Sequence, residues 1–130
     1  MKRIFMSALA LMLSASAALA ADPLEGTWRT APDDNGHTGL INVAPCGAAL
    51  CGTLMKAFDG TGTQVASPNI GRHIISQTKP KGDGAYTGKV YAPDRDKTYN
   101  SKLQLSGNTL AVSGCVLGIC RNGGTWTKVE

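Results

Sequence analysis

The stretch Ser101-Lys102-Leu103-Gln104-Leu105-Ser106-Gly107-Asn108-Thr109-Leu110-Ala111-Val112 decides the fold. Leu103, Leu105, Leu110 and Val112 alternate with Lys102, Gln104, Thr109 and Ala111, and successive side chains of an extended chain point to opposite faces. One face of this segment is core and the other is water. Between the two runs, Ser106-Gly107-Asn108 supplies residues that accept a positive φ or close an Asx turn. The chain reverses there, and the runs pair as an antiparallel hairpin.

The same pattern extends outward over the rest of the chain. Short runs rich in Val, Ile, Thr and Tyr stand between Gly, Asp and Asn clusters, and no helical period of apolar residues appears beyond residue 20. The expected strands are Leu24 to Thr30, Thr38 to Ala44, Leu50 to Phe58, Ile70 to Thr78, Ala85 to Ala92, Thr98 to Ser106, Thr109 to Val116 and Thr125 to Val129. Turn chemistry separates them at Asp33-Asp34-Asn35-Gly36, Asp59-Gly60-Thr61-Gly62 and Lys81-Gly82-Asp83-Gly84. A sheet of eight short strands must hide its edges, and closing on itself does so without a helix. The fold class is therefore all-β, a small antiparallel up-and-down barrel, with a two-sheet β-sandwich as the alternative. Gly52, Gly88 and Gly114, among sixteen glycines, fall inside strands and favour the barrel by relieving the bends of closure.

Ahead of this domain, Met1-Lys2-Arg3, the apolar run Ile4 to Leu13 and the closing Ala18-Leu19-Ala20 form the three parts of a secretory signal, with cleavage expected after Ala20. Residues 1–20 are read as the signal peptide and 21–130 as one domain, placing the protein in the periplasm or outside the cell. Without Lys2 and Arg3 the 13 basic residues become 11, against 9 acidic, so the formal charge of the mature chain is +2. That balance, with the basic residues scattered along the sequence, argues against nucleic acid or an anionic membrane surface as a partner. No later stretch is long and apolar enough to span a bilayer as a helix.

Four cysteines form two pairs with equal four-residue gaps, Cys46-Gly-Ala-Ala-Leu-Cys51 and Cys115-Val-Leu-Gly-Ile-Cys120. Such spacing also permits a structural zinc site. Behind an export signal thiols oxidise, so two local disulfides, Cys46 to Cys51 and Cys115 to Cys120, are expected and no metal.

Gly26-Thr27-Trp28 resembles the Gly-x-Trp opening of lipocalin-like barrels, in which the Trp closes one end and a basic side chain near the last strand covers it. Lys128 or Arg121 would be that cation here. The chain as a whole is similar to a bacterial exported family catalogued as domain of unknown function 2147. The resemblance is carried by Gly26-Thr27-Trp28, Cys46-Gly47, Leu50-Cys51-Gly52, Val90-Tyr91-x-Pro93, Lys97-Thr98-Tyr99, Leu110-x-Val112-x-Gly114-Cys115 and Thr125-Trp126-Thr127. Relative to the family pattern it departs at Ala92, where an acidic residue is usual, at Asp96, where Gly is usual, and at Lys128, where Arg is usual. The resemblance implies a small exported β-domain and no assigned activity.

Catalytic signatures are missing from the sequence. There is no Gly-x-Ser-x-Gly elbow or His-Glu-x-x-His helix, His37 and His73 stand far apart, and the mature chain has only Glu25 and Glu130 as glutamates. No catalytic residue and no cofactor are assigned. The candidate ligand-contacting residues are Tyr91 and Tyr99, expected as neighbours at one rim, with Arg95 and Lys97 in the connection between them. A purely structural tyrosine cluster is the competing reading. Function is read as non-enzymatic binding, or an accessory role, toward a small amphipathic ligand or an envelope partner. The alternative is an envelope hydrolase or isomerase acting on lipid or cell-wall fragments.

Overall fold

A computed structural model describes residues 21–130, and the expected signal peptide, 1–20, lies outside the described residues. Nine strands follow in order: β1 (Gly26–Arg29), β2 (Thr38–Cys46), β3 (Ala49–Phe58), β4 (Gln64–Val65), β5 (His73–Gly82), β6 (Ala85–Ala92), β7 (Lys97–Ser106), β8 (Thr109–Val116) and β9 (Ile119–Lys128). Their order in the sheet is β2-β1-β9-β8-β7-β6-β5-β3, and β3 pairs back onto β2. The eight strands of this circuit thus close into an antiparallel barrel, and the two-sheet sandwich is excluded. The two-residue β4 merely adds to the end of β3.

The opening hairpin has the register its alternation requires, with Leu105 opposite Leu110 and Leu103 opposite Val112. Strand limits differ from the sequence reading by more than two residues at three places. β5 begins at His73 and runs on through Lys79-Pro80-Lys81, past the end expected at Thr78, because register shifts flanking Pro80 let it stay paired with Tyr86 of β6. Ile70 lies in a turn instead. β9 begins at Ile119, six residues earlier than expected, since Arg121-Asn122-Gly123-Gly124 carries no hydrophobic alternation and is held by pairing with β8.

Bulges give the barrel its tight curvature. Gln77, at φ 48°, sits in the shift between Ser76 and Lys79, and the backbone there presses on Gly88, where a Cβ would meet the carbonyl oxygens of Ser76 and Gln77 at 2.6 and 2.8 Å. Only glycine fits that position of β6. The core runs through the barrel as Leu24, Trp28, Ile41, Val43, Leu50, Leu54, Ile75, Leu103, Leu110, Val112 and Trp126, all buried. Gly52 shows how full it is: a Cβ there would stand 2.7 Å from both Ile41 Cγ2 and Ile75 Cγ1.

Candidate functional site

β6 and β7 place the candidate residues. Their ladder runs without a bulge, pairing Val90 with Tyr99 and Tyr91 with Thr98, so Tyr91 and Tyr99 fall on opposite faces. The expectation that the two rings are neighbours on one rim surface is corrected by this register. Tyr99 takes the inner face: a Cβ on Gly114 of β8 would lie 3.5 Å from Tyr99 Cβ and 3.7 Å from Val90 Cγ1. Its phenol and then Asp94 hold the Arg95 guanidinium still more firmly protonated than usual. Arg95 remains largely exposed, with Nε 3.9 Å from Asp94 Oδ2.

Tyr91, on the outer face, is only 8% exposed. Its cover is Arg72, whose guanidinium carbon stands 3.8 Å from the ring centroid, close enough for a cation–π stack. The Tyr91 hydroxyl donates to Asp96 Oδ1 at 2.7 Å, and Arg72 Nη2 is 4.0 Å from the same oxygen. The Asp96 carboxylate, and secondarily burial, raise the Tyr91 phenol above its ordinary value, with Arg72 pulling the other way. Gly71 at φ +85° turns the chain into this position, and Leu54 of β3 clasps it by accepting from Gly71 N and donating to Arg72 O.

The structure therefore gathers Arg72, Tyr91 and Asp96 into one unit and Arg95 with Tyr99 into another. Lys97 is exposed at the start of β7. Arg72 and Asp96 are the residues that sequence reasoning missed. For Arg72 the usable signal is register: Ile75 faces Val90 across β5 and β6, which brings the residues just before His73 alongside the end of β6.

The opposite end is closed. Trp28, fully buried, donates through Nε1 to Leu24 O at 2.8 Å. Lys128 Nζ stands 5.7 Å from the Trp28 ring centroid and donates to Pro23 O. Arg121 is paired with Gly114 toward the other end of β9. Tyr86 donates its hydroxyl to Asp22 Oδ1, and burial, then Asp22, push its phenol far above the ordinary value.

Both disulfides are local, Cys46–Cys51 and Cys115–Cys120, with no free cysteine among the described residues. Cys46, Cys51 and His73 bring possible ligand atoms within 4.8 Å of one another, but the disulfide occupies both sulfurs. Two surface grooves lie on the outer wall. One is lined by Lys79, Thr87, Asn100, Lys102, Gly118 and Cys120, among others, and the second by residues of β6, β7 and β8.

The family model described as an uncharacterized protein conserved in bacteria (DUF2147) matches residues 26–128. No curated protein matches the chain. Among solved structures, protein HP1028 from Helicobacter pylori, described as belonging to the lipocalin family, aligns with a TM-score of 0.65 at 16% identity over 85% of each chain. At that identity the likeness is one of fold.

Proposed function

We propose, from the premise that this chain belongs to the bacterial DUF2147 family and has a lipocalin-like barrel, that it is an exported, non-enzymatic binding or accessory protein. It contacts a small anionic amphipathic ligand, or an envelope partner, at the rim that carries Arg72 and Arg95 rather than in the barrel. The observation that carries this reading is the contrast between the two regions. The interior has no room for one added methyl at Gly52, while Arg72 is held on Tyr91 with its guanidinium half exposed. A guanidinium fixed on an aromatic face is pre-organised for a carboxylate or phosphate, and Arg95 and Lys97 are further cations flanking Asp96 in the chain.

Native mass spectrometry of protein purified from the periplasm tests this directly. A small copurifying molecule is expected, and its occupancy should fall in Arg72→Ala and Arg95→Ala, with melting temperatures within a few degrees of the parent. A copurifying molecule whose occupancy ignores both substitutions would remove the rim from the reading. Recovery of the chain only in the cytoplasm would refute the exported assignment.

A further inference from the structure

At the β8–β9 hairpin the chain exposes apolar side chains with nothing over them. Val116, Leu117 and Ile119 are 53%, 96% and 71% exposed, whereas most large apolar residues elsewhere fill the barrel. Leu117 adopts φ 52° and Gly118 φ 80°, the two-residue turn geometry that matches strand twist. A bulky residue at positive φ is uncommon, and Asn or Asp would suit that position better. Immediately behind the turn the Cys115–Cys120 disulfide joins the two strands, so the tip cannot splay and fold its apolar groups back. The result is a stiff apolar prong.

The groove beside the prong supplies the second observation. Lys79 of β5 and Lys102 of β7 line it together with Gly118 and Cys120 of the hairpin, and no carboxylate is among its lining residues. Lys89 adds a third ammonium at its edge, held on Asn100 Oδ1. These lysines are far apart in the sequence and converge because outward positions on neighbouring antiparallel strands share a face.

We infer that this hairpin is a membrane-contact device: Val116, Leu117 and Ile119 enter the outer layer of a bilayer while Lys79 and Lys102 meet the phosphates of anionic phospholipids. Shape and charge both favour lipid as the occupant. A convex apolar tip needs a pocket in a protein partner, whereas a fluid acyl layer accepts it as it stands. Ammonium groups behind an apolar tip are in reach of the headgroup layer when the tip is inserted. The contact is peripheral and reversible, since three side chains and two or three charges give weak anchoring. The prong stands at the same end of the barrel as the start of β7, since Asn100 pairs with Cys115, but the lipid contact does not rest on the rim reading above.

The test uses residues 21–130 with sedimenting vesicles of phosphatidylethanolamine and phosphatidylglycerol, and phosphatidylcholine vesicles as control. Binding to the anionic vesicles is expected to weaken as salt rises. The double variant Leu117→Ser with Ile119→Ser should bind at least tenfold more weakly, and Lys79→Gln with Lys102→Gln should lose affinity and much of the salt dependence. Melting curves confirm that each variant is folded. Leu117→Trp adds a direct readout, because Trp28 and Trp126 are buried: emission from the introduced indole should shift to the blue on anionic vesicles. Absence of vesicle binding, binding unchanged by the serine pair, or an unshifted emission in the Leu117→Trp variant would overturn the inference. A dimer that dissociates in the serine pair, with no vesicle binding, would assign the prong to a second copy instead.

Discussion

Replacing Gly52 with Ala adds one methyl inside the filled barrel. Its Cβ would stand 2.7 Å from Ile41 Cγ2 and from Ile75 Cγ1, where carbon atoms rest at about 3.5 to 4.0 Å. The overlap is on the order of 1 Å on both sides. Neither neighbour can swing aside into water, because Ile41 and Ile75 are both fully buried. Overpacking of this kind costs about 1 to 3 kcal/mol. Against it, Ala in place of Gly stabilises by about 0.4 to 1 kcal/mol through the unfolded chain. The net loss is roughly 1 to 2 kcal/mol, and at about 4 to 8 °C per kcal/mol the melting temperature should fall by roughly 5 to 15 °C. Urea unfolding followed by circular dichroism gives the free energy, with an unchanged slope confirming that only stability moved. The Ile75→Val substitution removes the Cδ1 methyl that also approaches this site, at 3.3 Å. Combined with Gly52→Ala it should cost less than the sum of the two single changes. If Gly52→Ala is neutral or stabilising, the barrel has slack inside, and the argument that ligands must stay at the rim fails.

Three further outcomes follow from the same geometry. Because burial and Asp22 keep the Tyr86 phenol protonated beyond its usual range, the unfolded chain loses this proton first, so stability should decline as pH rises above about 10, and Tyr86→Phe should flatten that decline in alkaline melts. Spectrophotometric titration should find Tyr91 ionising late for a tyrosine, and Asp96→Ala should bring it back down, since the Asp96 hydrogen bond is the main cause of the shift. Replacing Cys115 and Cys120 by Ala releases a small loop, for which the chain-entropy relation gives about 2 kcal/mol, so the barrel should persist with a lower melting temperature, and a change that unfolds it would mean the hairpin is integral to closure.

How much of this was legible in the sequence depends on which physical signal each feature leaves. Alternation across Ser106-Gly107-Asn108 announced both strands, their turn and their inner face, because period two is a direct imprint of one buried side. β9 left no such imprint over Arg121-Asn122-Gly123-Gly124, where pairing with β8 alone makes the strand. The candidate site turned on register, which alternation does not number. Tyr91 and Tyr99 flank one short connection, yet their separation along the chain leaves open whether the partner of Tyr99 is Tyr91 or its neighbour. The ladder chooses Val90, and that single step sends one ring inward and the other out.

The same reasoning explains why charge was misleading as a global quantity. A charge of +2 beyond residue 20 and scattered lysines argued against any electrostatic footprint, and in one dimension that is correct. Folding into an antiparallel sheet converts separation along the chain into adjacency across strands, so Lys79 and Lys102, distant in sequence, line one groove. This barrel has spent its inner face on residues such as Ile41, Ile75 and Trp28, so the proposed recognition chemistry falls to the rim and the outer wall. On the readings proposed above, those are the surfaces where the residues that alternation discards as merely solvent-facing, Arg72, Lys79, Lys102 and Leu117, would carry the specificity. The binding proposed here therefore uses the outside of the barrel, with the filled interior as the rigid frame that holds the rim and the prong in place.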